Sequence, residues 1–179
     1  MKPITVDFII RHKPCWYTTE CILDIAGIRG VVGDGMDWPE FLRLALAGTS
    51  RLTCGDAVWL ATRQGMLSHE VVSRWLHVVV ERAIRRALEG KVSPAYRRWA
   101  DRWLSGEDRS AEAAVAARVA AEWSAEAAAA AAAAEEVARG AWAWASEWAA
   151  SAAAWADVVE AETEQQVRDL LAILEEVVQ

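Results

Sequence analysis

Cysteine is scarce in this chain of 179 residues, with only Cys15, Cys21 and Cys54. The odd count and the lack of a paired spacing exclude a disulfide scaffold and fit a reducing cytoplasm. Histidine is as rare. His12, Cys15, Cys21 and Asp24 do not follow the ligand spacing of a zinc site, and His69 and His77 lack the i+4 partner of a metalloprotease helix. The glycines of Gly30-Val-Val-Gly33-Asp-Gly35 lack the Lys-Ser/Thr of a phosphate loop, and no serine stands in a Gly-x-Ser-x-Gly elbow. Catalytic residues, metals and cofactors are therefore expected to be none. Long uninterrupted apolar runs are also missing. The opening Met-Lys-Pro-Ile-Thr-Val-Asp is not the apolar segment of a signal peptide, and Glu122, Glu126, Glu135, Glu136, Arg139 and Glu147 break the alanine tract too often for a membrane span. A cytoplasmic chain is expected.

Basic residues thin out toward the C-terminus. Residues 1–110 hold 16 Lys and Arg against 13 Asp and Glu, whereas residues 111–179 hold 3 against 13. So acidic a C-terminal part argues against wrapping duplex DNA by counterion release.

What the chain has in abundance is alanine and tryptophan. Between Ala111 and Ala156 stand 26 alanines in 46 residues, and the whole sequence has 11 tryptophans. Alanine heads the helix-propensity scale and loses no side-chain entropy on ordering, yet it can neither transfer a proton nor bind a metal. Function must then reside in the residues between the alanines or in the surface that the thin helices build.

The remaining segments read as helix almost throughout. Ile4 to Ile10 fits either a strand or a helical turn capped by Thr5; the helix is chosen because a lone strand would have no partner. A second helix is expected over about 16–26. Asp37-Trp38-Pro39-Glu40 opens a helix that Gly48 stops, and another runs from about 53 to 64. Ser68 caps a helix over 69–89 whose Val72, Leu76, Val79, Ala83 and Ala87 form a core stripe, with Gly90 at its end. Ser93-Pro94 opens the next, closed by Gly106. From Ser110 no strong breaker appears before Gly140, and helix resumes from Ala141 to about Val159. Thr163 and Gln166 resemble a capping box ahead of a last helix carrying Val167, Leu170, Leu171, Leu174, Val177 and Val178. The fold class expected is all-α: short N-terminal helices packed on long antiparallel Ala/Trp-rich helices, a helical bundle with an N-terminal short-helix region over 1–52 and an Ala-rich bundle over 53–179.

One polar feature stands out, a net charge of +5 within residues 74–102. It comprises Arg74, Arg82, Arg85, Arg86, Lys91, Arg97, Arg98 and Arg102, interleaved with Trp75, Trp99 and Trp103. Arginines beside indoles hold phosphates bidentately and stack on bases. Pairing with the acidic C-terminal helices is the favoured alternative. Glu135, Glu136, Glu175 and Glu176 read as solvated helix faces. Trp144, Trp148 and Trp155 share a helical face and are expected to be buried, while Trp142 points away from them and calls for a second layer, best supplied by a second copy in a homodimer.

Three stretches carry a family resemblance. Ile4 to Cys15, Asp56-Ala57-Val58-Trp59-Leu60, and Tyr96-Arg97-Arg98-Trp99-Ala100-Asp101-Arg102-Trp103-Leu104-Ser105-Gly106, the last followed by the alanine tract and a Val/Leu helix, resemble in order the segments of Ala-rich helical immunity proteins frequent in bacteriophages and prophages. The resemblance covers most of the chain. It implies a non-enzymatic phage or mobile-element protein that neutralises a bacterial defence factor or toxin in the host cytoplasm. The alternative is an oligomeric sponge that sequesters an anionic nucleotide signal. The residues expected to meet a ligand or partner are Arg82, Arg85, Arg86, Arg97, Arg98, Arg102, Trp99 and Trp142.

Overall fold

The computed structural model describes residues 3–5, 35–48, 53–62, 66–121, 124–140 and 159–178. The fold is all-α. Seven helices are described: α1 (Trp38–Ala47), α2 (Cys54–Ala61), α3 (His69–Glu89), α4 (Pro94–Ser105), α5 (Ala111–Ala120), α6 (Ala125–Arg139) and α7 (Val159–Val178). Among the described residues none of them is long and apolar enough to cross a membrane.

Short polar side chains set most of the helix starts. The Asp37 carboxylate accepts the Glu40 N–H at 2.8 Å, and Pro39 occupies the first turn of α1. At α2 the Thr53 hydroxyl accepts the Asp56 N–H while the Asp56 carboxylate accepts the Thr53 N–H, so two otherwise orphaned donors are satisfied reciprocally. Ser68, Ser93, Ser110 and Ser124 accept N–H groups in the first turns of α3, α4, α5 and α6. Gly48, Gly106 and Gly140 take the left-handed conformation that ends α1, α4 and α6.

Three expectations change. The stretch from Ser110 to Gly140 is two helices, since α5 stops at Ala121 and Ser124 caps α6 anew. The last helix starts at Val159, four residues before the supposed cap, so Thr163 lies inside α7. At the other end Ile4 does have a partner: it forms an antiparallel bridge with Met36, each N–H donating to the other's carbonyl at 2.9 Å. Gly35 permits this approach, because its φ is 109° and a Cβ there would lie 2.9 Å from the Pro3 side chain. The expected helices over 4–10 and 16–26 lie largely or wholly outside the described residues, as do Trp142, Trp144, Trp148 and Trp155.

Two compact units emerge, one formed by residues 1–71 with 163–179 and the other by residues 72–162. In the first unit Ile4, Met36, Trp38, Phe41, Leu42, Leu60, Val167, Leu170 and Leu174 are buried. Trp38 meets Phe41 edge to face at 5.8 Å, and Arg43 of α1 pairs with Glu175 of α7 at 2.6 Å on the surface.

In the second unit α4, α5 and α6 follow one another as packed neighbours. Trp75, Tyr96, Trp99 and Trp103 supply the bulk, with Trp99 5.2 Å from Tyr96 and 5.7 Å from Trp103 between ring centres. The α5–α6 hairpin is the opposite in character. Ala114 and Ala117 of α5, and Ala127 with Ala129 to Ala134 of α6, are buried with little side chain to separate the two backbones. Glu135 corrects the expectation of a solvated face. Only 3 % exposed, it sits 3.4 Å from Arg118 of α5 and pairs with Arg139 on its own helix.

Candidate functional site

The second unit sorts the arginines into three groups. Arg82 and Arg86, one turn apart on α3, turn to Glu162 of α7. Arg82 donates from Nη2 and Nε at 2.8 and 3.0 Å, and Arg86 donates from Nη2 at 2.7 Å. The Glu162 side chain is 2 % exposed, so a buried carboxylate lies between two guanidinium groups. These two arginines therefore behave as the pairing alternative anticipated, and they are part of the scaffold. Arg85 points elsewhere and faces Glu81 at 3.7 Å on an exposed surface.

Arg97, Arg98 and Arg102 form the second group, all exposed on α4. Arg97 and Arg98 make no hydrogen bond or ion pair among the described residues. Arg102 reaches Asp108 only at 3.9 Å. The Ser110 hydroxyl and N–H, then Arg102, hold the Asp108 carboxyl below its ordinary range. The third group, Arg109, Arg118 and Arg139, pairs with Glu81 or Glu135.

Between α4 and α5 runs an open groove of about 240 Å³. Ala95, Arg98, Trp99 and Arg102 line it from α4, and Ala113, Ala116, Ala117 and Ala120 from α5. Both sets follow the i, i+3, i+4, i+7 spacing of one helix face, so the groove is where two facing stripes fail to fill the space between them. Alanine on the α5 side is the cause. The Trp99 indole is nearly buried, and its N–H has no hydrogen-bond partner. Three of the residues singled out from the sequence, Arg98, Trp99 and Arg102, thus meet at one place, whereas Arg82, Arg85 and Arg86 do not join them and Trp142 lies outside the described residues.

Nearby stands a polar group that sequence spacing did not reveal. The Tyr96 hydroxyl is fully buried, and neither it, nor Oε1 of Glu126, nor Nη1 of Arg86 has a hydrogen-bond partner. Burial, and then the Glu126 charge, hold the Tyr96 phenol well above its ordinary value. Burial raises the Glu126 carboxyl in turn, with Arg86 opposing and Glu89 adding to the rise. A carboxyl raised in the folded state favours the neutral form there; the stability it contributes is present below its unfolded value and is lost as pH rises through the folded one. Glu126→Gln is accordingly expected to melt above the parent, with a difference that widens from pH 4 to pH 8 yet stays under about 1 kcal/mol because the rest of the carboxyl meets water. Parallel melting curves that differ by the same amount at both pH values would contradict this.

Among the described residues no three His, Cys, Asp or Glu side chains cluster as metal ligands; His12, Cys15, Cys21 and Asp24 lie outside them. Comparison with protein-family models, with curated proteins and with solved structures found no match.

Proposed function

We propose that the protein is a non-enzymatic binding protein of the immunity type, which neutralises a toxin or a bacterial defence factor in the cytoplasm of its host and uses the arginine face of α4 as its contact. The observation that carries this reading is the pair Arg97 and Arg98. Both are exposed on a helix and make no ion pair among the described residues, while Arg82, Arg86, Arg109, Arg118 and Arg139 are committed to carboxylates. Exposed, unengaged guanidinium groups suit bidentate pairing with carboxylates on an opposing protein. Val119 of α5, 76 % exposed, offers an apolar contact on the neighbouring helix. The resemblance to phage-associated immunity proteins supports the biological setting.

The test is protection. Bacteria expressing the chain are challenged with phages restricted by known defence systems and with toxins expressed from a second plasmid. Relief of one of these challenges is expected, together with its loss in a folded R97E/R98E variant. A chain that relieves none of them overturns the neutralising role, and full protection by R97E/R98E removes the contact from α4. Because the contact is charged, binding to the neutralised factor weakens as salt rises.

The α4–α5 groove favours a second reading, that of a protein which sequesters an anionic nucleotide. Its lining brings two arginines beside an indole, the combination that nucleotide-binding surfaces use.

A further inference from the structure

We infer that the groove between α4 and α5 is a site for one phosphate monoester carried on a flat ring of nucleobase size. This deepens the second reading and does not depend on the neutralising role.

Charge complementarity selects the phosphate. Arg98 and Arg102 stand one helical turn apart on the same edge of the groove. Arg98 has no acidic partner among the described residues, and Arg102 is held only by an ion pair of 3.9 Å to Asp108. A phosphate monoester brings nearly two negative charges at neutral pH and oxygens that accept from two guanidinium forks, whereas a single carboxylate needs only one.

Shape selects the flat body. The floor supplied by Ala113, Ala116, Ala117 and Ala120 has no side chain beyond Cβ, so a planar ring can lie against the α5 backbone where a branched group would find nothing to interdigitate with. The open groove of about 240 Å³ suits one ring system with its phosphate on the arginine edge.

The Trp99 indole lines the groove beside the two arginines, so an aromatic wall adjoins the phosphate position.

The experiment is calorimetric titration and thermal shift of the full chain against adenosine monophosphate, adenosine, inorganic phosphate, and a short single-stranded oligonucleotide with and without a terminal phosphate. Adenosine monophosphate is expected to bind and to raise the melting temperature by mass action, more strongly than adenosine or inorganic phosphate. Removing either arginine, as R98A or R102A, is expected to weaken binding by roughly tenfold or more. Ala116→Leu fills the groove from an exposed position of α5 and leaves both arginines in place, so it is expected to abolish binding while the far-ultraviolet spectrum stays helical. Tighter binding of the phosphorylated oligonucleotide than of the mononucleotide identifies a nucleic-acid end as the source of the phosphate; the reverse identifies a free nucleotide. Three results would overturn the assignment: no binding of either phosphorylated ligand, unchanged binding by R98A/R102A, or inorganic phosphate binding as tightly as adenosine monophosphate.

Discussion

Glu162→Ala is expected to cost about 3–5 kcal/mol of folding stability, because it leaves Arg82 and Arg86 partly buried without the carboxylate that neutralises both. The magnitude follows from the asymmetry between making and breaking such a group. Bringing three charges out of water is expensive, so the intact cluster contributes little net stability, yet deleting its centre removes the carboxylate that both cations share without restoring their solvation. Arg86 is the more exposed to this penalty, since its Nη1 already lacks a hydrogen-bond partner. Urea denaturation of the parent and of E162A gives the number directly. A triple variant, Arg82→Met with Arg86→Met and Glu162→Leu, is expected to recover most of the loss, because apolar groups of similar size need no counter-charge. If E162A costs less than about 1 kcal/mol, water reaches the arginines and the buried-charge account fails.

Trp103→Ala has an expected cost of about 3–5 kcal/mol as well, but through a cavity and not through charge. Trp103 is fully buried and packs against two rings, stacked on His77 at 6.5 Å and tilted to Trp99 at 5.7 Å. Removing the indole leaves a hole between those two rings that a methyl group does not fill. The His77 ring is fixed from its other side by a 2.7 Å contact between its Nδ1 and the Ser73 carbonyl oxygen, so it cannot swing into the gap without breaking that contact. Chemical denaturation followed by circular dichroism measures the loss, and Trp103→Phe is expected to lose much less. Equal stability of W103A and the parent would mean that the surrounding helices close the space.

The legible part of this fold was its punctuation. Asp37 with Pro39 and Gly48, Ser68 with Gly90, and Ser93-Pro94 with Gly106 mark the ends of α1, α3 and α4 because each satisfies or terminates a helix by its own local chemistry. The break between α5 and α6 was harder to see. Its one signal was Ser124, a single capping residue in a background where every neighbour favours helix. Thr163 and Gln166 misled for the converse reason: a cap-like spacing is indistinguishable from two polar residues inside a longer helix until the preceding chain is seen to be helical already. At the candidate site, Arg98, Trp99 and Arg102 share a helix face and so came together as their spacing implied. Arg82 and Arg86 share a face in the same way. What separates their fate is Glu162, 80 and 76 residues away, and no local pattern announces a contact of that range.

The alanine hairpin leaves one question that its polar ends answer. Methyl groups offer almost the same surface after a slide of one helical turn, so alanine faces on α5 and α6 specify nearness without specifying register, much as a smooth rod lies against another at any offset. Alignment must then come from the few residues that cannot slide. The bond from the Ser124 N–H to the Ala121 carbonyl fixes the chain reversal, Glu135 between Arg118 and Arg139 locks α6 against α5 further along, and the Ser93 hydroxyl on the Ala120 carbonyl ties the end of α5 to the start of α4. The interior of the hairpin is thus degenerate, and its vernier is written in one serine at the turn and one buried carboxylate.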